Sequence, residues 1–559
     1  MTEPTDSTPA GDQPTSGTSG EPAPSDATRP IPQERTAAIP SGYSYPTPPP
    51  QAAQGTGGTE DTEGIPLTDE PAPRGRTRTA LIVGTVAAVA VLGTGGILAY
   101  NALSGGGVQP ADVLPADAYA YLRVDIDPAA GQKIAAVRFL SKIPQVKDLG
   151  TGDARKALWE LATKDTDNAC VSKFAYDRDI APWVGQRTGI ALRPGGTSKQ
   201  PNFALALQVT DETKAKETLT RLLACDDGKQ PDLRLKDGYA LITPAGKGDD
   251  LVAAVDKGAL SSNATFTADM DALGEQGVMS FWGDLQPLFK DAAIMAPDAA
   301  AEAGVAGDIE GRYAAAVRFD PSFVELAGIV RGLEQGGTPS PMPRGDSTAL
   351  GNLPADTMAA FHMANGDQLL DATWPQVKKQ LDELAAADGQ DDVVAMIEDE
   401  LGIKLPDDLK AIAGSSFTFA MPGGQNFETD FPTLGARIVS KNAARADEVL
   451  TKVEDVAGTG LLVKKLDGDR LHVATWSGYA DQLRNGGSLG QSDGFKAALG
   501  NLSTSPFAVF LDLDQLEKYY LEEADGDARA ALQAMRSVGY KTSATDQGGS
   551  TFTLRVVGN

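Results

Sequence analysis

The feature that most constrains this chain is an uncharged stretch, Thr79–Ala111, whose first part reads ALIVGTVAAVAVLGTGGILAY over Ala80–Tyr100. At about 1.5 Å of helical rise per residue, 21 such residues span about 31 Å, the thickness of a bilayer's hydrocarbon core. Arg74, Arg76 and Arg78 stand immediately before it, and Ser104–Pro110 after it carries no charge. The positive-inside rule then places residues 1–78 in the cytoplasm and everything after the span outside. A cleaved signal peptide would start near the N-terminus and end in a small-residue cleavage site, and neither holds here. The expectation is a single-pass signal anchor over residues 79–103, with the lipid bilayer as its partner and a linker at 104–111. Gly84 and Ala88 form a small-xxx-small pair of the kind that packs transmembrane helices together, a weak signal in so Ala- and Gly-rich a span.

The segment before the span is of another kind. Residues 1–78 hold 15 of the 36 prolines, five Arg and eleven Asp or Glu, with no helical or strand periodicity. Too little apolar surface is available there to offset chain entropy, so a disordered tail is expected. Pro46, Pro48, Pro49 and Pro50 favour polyproline II. The tail reads as a solvated spacer, with a phosphorylated docking segment as the alternative.

The net charge of −27 divides accordingly: −6 on the tail, none on the span, and −21 on Asp112–Asn559. A chain this acidic lacks the basic footprint of a nucleic-acid binder. Two His and two Cys are too few for most structural zinc sites.

The exported part reads as α+β, a tandem-duplicated ectodomain of mainly antiparallel sheets with packed helices. Leu114-Pro115-Ala116-Asp117 recurs as Leu353-Pro354-Ala355-Asp356. An apolar strand follows each, then helices over Gly131–Ile143 and Ala154–Thr163, or over Gln368–Ala387 and Asp392–Leu401. A short helix is expected to end at Gly185 or Gly414, before strands 189–196 and 416–424, each closing in Pro-Gly-Gly. Strand–helix units 203–223 and 433–453 come next, the first capped by Asp211. Strands 239–243 and 470–475, units 278–289 and 506–519, and strands 314–319 and 551–556 complete the match. The repeats are expected at 112–335 and 351–559, joined by a Pro/Gly/Ser linker at 336–350.

Candidate chemistry is sparse. Cys170 and Cys225 both lie in the first repeat, and outside a membrane such a pair is expected to be bridged. His362 and His472 sit in strand segments without a nucleophile elbow or a metal motif, and read as packing positions. Asp125 with Asp127, and Asp512 with Asp514, lack the further ligands of a calcium loop and read as solvated turns or helix caps. Five Trp (Trp159, Trp183, Trp282, Trp374, Trp476) lie mostly in apolar contexts and read as core. Asn263-Ala264-Thr265 matches a glycosylation sequon. No catalytic residue, cofactor or metal ligand is assigned.

The Pro-rich tail, the anchor, LPADAYAYLRVDIDP after it, and the repeated Leu-Pro-Ala-Asp and Pro-Gly-Gly units together resemble a bacterial family. These are the single-pass exported proteins of GC-rich actinobacteria classed as domain of unknown function family 3352, with the likeness covering roughly residues 108–559. The resemblance implies a membrane-anchored extracytoplasmic domain and carries no site residue. The functional expectation is therefore a non-enzymatic binding or interaction module of the cell envelope. Its cleft between the two repeats would take an envelope protein or a small apolar ligand. The alternatives are an envelope-polymer hydrolase with a carboxylate pair and a relay with a phosphorylated tail.

Overall fold

The computed structural model describes residues 107–559 except 144–152, 164–167, 197–200, 226–227, 229, 296–308, 336, 340–341, 388–391, 426–430, 459, 522–523, 525 and 546–547. Among the described residues no helix is long and apolar enough to cross a membrane. The tail, the expected span with Gly84 and Ala88, and Arg74, Arg76 and Arg78 lie outside them.

Alternating apolar residues build the strands. In the first half they are β1 (Ala120–Asp125), β2 (Val184–Leu192), β3 (Phe203–Val209), β4 (Asp232–Lys236), β5 (Tyr239–Thr243), β6 (Met279–Asp284), β7 (Ile309–Phe319) and β8 (Phe323–Gln335). A two-residue β9 (Thr338–Pro339) folds back on the end of β8. The second half contains β10 (Thr357–Ala364), β11 (Ser416–Pro422), β12 (Gly435–Val439), β13 (Val463–Asp467), β14 (Arg470–Ala474), β15 (Phe507–Asp512), β16 (Met535–Ala544) and β17 (Ser550–Gly558).

All pair antiparallel in one sheet. Its spatial order is β4-β5-β3-β2-β1-β6-β7-β8 and then β17-β16-β15-β10-β11-β12-β14-β13. Each first-half strand has a counterpart nine strands later, and the two halves meet through counterparts. β8 lies antiparallel to β17, from Phe323↔Val557 to Val330↔Ser550. Identical edges joined this way are the arrangement of a two-fold dimer contained in one chain.

The order corrects one expected match. The segment 314–319 lies in β7, whose counterpart is β16; strand 551–556 lies in β17, the counterpart of β8. Both β7 and β17 are apolar alternating strands, and periodicity alone does not distinguish neighbouring members of a hairpin. Gly185 is likewise not a helix end. The short helical turn stops at Ile180, and Gly185 lies inside β2.

One sheet face is lined by small residues, Ala191, Ala204, Ala206, Ala314 and Ala316 in the first half and Ala360, Ala420, Ala474 and Ala508 in the second. Alanine lets helices sit close to the sheet. Leu251 and Val255 of helix Gly248–Lys257 and Phe266 and Met270 of helix Ala264–Leu273 complete the first core. Tyr479 and Leu483 of helix Ser477–Asn485 and Phe495 and Leu499 of helix Asp493–Leu499 complete the second.

On the other face, a third cluster joins the halves. Phe139 and Leu140 of helix Ala130–Leu140 pack with Phe319, Val324, Ala534 and Met535. On the alanine-lined face Arg555 bonds Glu325 at 2.8 Å and lies over the ring of Phe323, which packs against the second core. Where the halves meet along β8 and β17, the structure has a continuous sheet and a filled seam, not the expected cleft between lobes.

Candidate functional site

The strongest candidate lies within the second half, where that half departs from the first. In the first half, Asp117 of the Leu-Pro-Ala-Asp motif is gripped by Arg193, the residue before Pro-Gly-Gly. Nε donates to Oδ1 at 2.9 Å and Nη2 to Oδ2 at 2.7 Å. In the second half the residue before Pro-Gly-Gly is Met421. Asp356, the counterpart carboxylate, is exposed and makes no ion pair among the described residues.

Asp356 lines a pocket of about 270 Å³ together with Gly424, Gln425, Phe431, Trp476, Tyr479 and Gln482. Aligned on Pro-Gly-Gly, the connection to the next strand runs ten residues in the second half (425–434) against six in the first (197–202). Hydrogen bonds fix the two ends of the longer connection. Gln425 accepts from the Thr433 amide at 3.0 Å and donates to the carbonyls of Pro422 and Thr433, both at 3.1 Å. Thr475 Oγ1 donates to Pro432 O at 2.9 Å and accepts from the Leu434 amide at 3.0 Å.

Two aromatic side chains stand out of this frame, Phe431 at 63% and Trp476 at 56% exposure. Trp476 occupies the N-cap of helix Ser477–Asn485. Its indole lies against Gly478, where a Cβ would come within 2.6 Å of two ring carbons, so the close approach needs glycine. The corresponding first-half connection, 244–247, contains no aromatic residue. Trp476 therefore corrects the reading of the tryptophans as core, which holds for Trp183 and Trp282; Trp159 and Trp374 are half-buried.

At the pocket's base, the Tyr479 ring lies over Gly435, where a Cβ would sit 2.9 Å from Cε1. The hydroxyl is buried and makes no well-formed hydrogen bond among the described residues. Burial raises its pKa, and the nearby Asp356 charge adds to the rise. A buried hydroxyl beside an unpaired carboxylate and two exposed rings can receive a ligand with hydrogen-bonding groups on one side and an apolar face on the other.

The other sequence candidates fall elsewhere. Cys170 and Cys225 are joined by a disulfide with Cα atoms 5.5 Å apart, closing a 55-residue separation in the first half. His362 is 1% exposed on β10, its Nδ1 2.8 Å from Thr418 Oγ1, and burial pushes its pKa down to about 4. His472, buried on β14, is also lowered, by burial and then by Arg437.

Asp125 and Asp127 are not solvated. Asp125 is 2% exposed, bonded to Arg123 and to Arg187 (3.1 Å), while Asp127 bonds Lys133. The cap reading holds for Asp512, which accepts from the Gln515 amide, and for Asp211, which accepts from that of Lys214. Asn263 caps helix Ala264–Leu273 and donates its amide to Ala116 O, so its side chain is already engaged. Among the described residues no three His, Cys, Asp or Glu cluster as metal ligands would.

Residues 82–265 match the family described as "Protein of unknown function (DUF3352)". Over these residues, about a third of its length, the chain is similar to that family. The DUF3352 match begins inside the apolar stretch Ala80–Tyr100 and covers β1 to β5. It starts earlier and ends far earlier than the resemblance read from the sequence, and leaves the second-half pocket outside. No curated protein and no solved structure matches the chain.

Of the pocket residues, the sequence reading names Asp356 only as part of a repeated motif and Trp476 only as core, and does not bring them together. The signal that finds them is the difference between the halves: Met421 where Arg193 stands, four added loop residues, and an aromatic residue entering the helix after β14.

Proposed function

We propose that this protein is a non-enzymatic binding module of a bacterial cell envelope, held by a single-pass anchor with its N-terminus in the cytoplasm. A duplicated scaffold carries the binding site in its second half. The anchor reading rests on the uncharged Ala80–Tyr100 behind Arg74, Arg76 and Arg78, and on a family match that starts within that stretch. The Cys170–Cys225 disulfide suits an oxidising compartment on the outer side.

One observation carries the binding reading. The first-half Asp117 is neutralised by Arg193, whereas Asp356 stands unpaired in a pocket flanked by Trp476 and Phe431. A duplicated scaffold retains shared residues for folding, so a coordinated departure of charge, loop length and aromatic exposure in one copy marks a place of use.

The test is a photo-crosslinking amino acid at position 482 of the full-length protein in intact cells, with position 247 of the first half as control. Crosslinks to an envelope component from 482 and not from 247 are expected. Equal capture from both positions, or none from 482, overturns the assignment.

A further inference from the structure

Resting on that reading, we infer that the second-half pocket binds a neutral saccharide unit of an envelope polymer. One sugar face stacks on Trp476, and Asp356 accepts hydrogen bonds from its hydroxyls. A pyranose ring presents weakly positive C–H bonds on one face and hydroxyls around its rim. The negative π-face of an exposed indole complements the first, and an ionised carboxylate accepts strongly from the second. Gln482 offers an amide donor and acceptor to the same hydroxyls.

The lining argues against the other chemistries. A hydrocarbon ligand would bury Asp356 and Gln482 without partners, at a desolvation cost nothing in the pocket offsets. An organic cation would meet one carboxylate, but also the positive end of helix Ser477–Asn485, which begins at Trp476. An anion would face Asp356 with no Lys or Arg among the lining residues. A neutral, hydroxyl-rich ring has none of these conflicts. Both exposed rings stand at the rim of an open pocket, which suits one unit of a longer polymer better than an enclosed small molecule.

The experiment uses the full-length protein in lipid nanodiscs, titrated with maltohexaose, mannohexaose and chitotetraose, with tetramethylammonium and dodecanoate as the competing chemistries. At least one oligosaccharide is expected to bind. Trp476→Ala should weaken it about tenfold or more, Trp476→Phe less, since an aromatic face remains, and Asp356→Asn about fivefold. Met421→Arg should abolish binding by pairing Asp356 as Arg193 pairs Asp117. Thermal midpoints of the exposed-site variants serve as the folding control.

The inference is overturned if none of the three oligosaccharides binds, if Trp476→Ala and Asp356→Asn leave binding unchanged, or if only tetramethylammonium or dodecanoate binds. Capture of a non-carbohydrate envelope component from position 482 without oligosaccharide binding ends the saccharide assignment and leaves the binding module standing. Silence in both experiments ends both. Shortened oligosaccharide products would replace binding with hydrolysis.

Discussion

Arg193 holds Asp117 by two parallel hydrogen bonds, Nε to Oδ1 and Nη2 to Oδ2, and this fork is missing from the corresponding place in the second half. The pair is unevenly buried: the guanidinium is nearly enclosed, and the carboxylate is half exposed. That asymmetry sets the first prediction. Arg193→Met leaves a carboxylate that water can solvate and should cost about 1 kcal/mol, once solvent screening of the exposed partner is counted. Asp117→Asn leaves a buried guanidinium without its counter-ion and should cost more, about 2–3 kcal/mol. Urea unfolding of the two variants checks the order; equal losses would contradict it.

The disulfide ties the loop after the helix Ala154–Thr163 to the end of the helix Glu212–Leu223. Closing a loop of this length removes unfolded-chain entropy worth about 4 kcal/mol. The Cys170→Ser/Cys225→Ser double variant should lose stability of that order in chemical denaturation. A loss below about 1 kcal/mol would mean that the unfolded state already holds these segments together.

Phe139 belongs to the first half yet packs in a cluster that includes Ala534 and Met535 of the second. Phe139→Ala should cost about 3–5 kcal/mol, the usual loss for a buried aromatic side chain. Because β8 and β17 share a ladder, both halves should lose stability together. Hydrogen exchange at β2 and at β11 reports each half separately. Loss of protection confined to β2 would show that the halves unfold independently.

His362 supplies a pH dependence with a definite sign. Folded, it stays neutral down to about pH 4 because burial disfavours the imidazolium, with a backbone hydrogen bond to Asp346 and then the Asp346 charge acting the other way. Unfolded, it takes up a proton near its ordinary value of about 6.5. Between these values the unfolded chain binds the extra proton, so stability falls as pH drops from about 6.5 to 4, by up to about 3 kcal/mol. His472 contributes in the same direction. His362→Gln should flatten that part of the urea-midpoint profile relative to wild type. An unchanged slope would mean that His362 titrates as an exposed histidine does.

Much of the architecture is legible in the chain because repetition and periodicity are local properties. Leu-Pro-Ala-Asp before a strand, Pro-Gly-Gly after one, and the run from FALALQV into a helix each identify a strand or turn from adjacent residues. Periodicity does not single out β4, β8, β13 or β16, and the long β8 and β16 are hairpin partners of β7 and β17 that the expected match passed over. β4 and β13 are five-residue strands at the sheet's two ends with two apolar residues each (Leu233 and Leu235, Val463 and Leu466), too few to establish a period. The burial of Asp125 is equally invisible locally. Arg123, two residues away, supplies one counter-charge, but the other, Arg187, comes from β2, 62 residues away.

The sequence by itself determined the partition into a Pro-rich tail, an uncharged apolar stretch and an α+β remainder with repeated motifs, because solvent preference and hydrogen-bonding period are written in neighbouring residues. Only the tertiary structure decided that the repeats fuse through β8 and β17 into one sheet, and that Asp356, Phe431, Trp476 and Tyr479 meet in one pocket. Those four residues span more than a hundred positions. Their juxtaposition depends on strand order and loop length, which are settled by how the sheet buries its apolar faces and not by any segment alone.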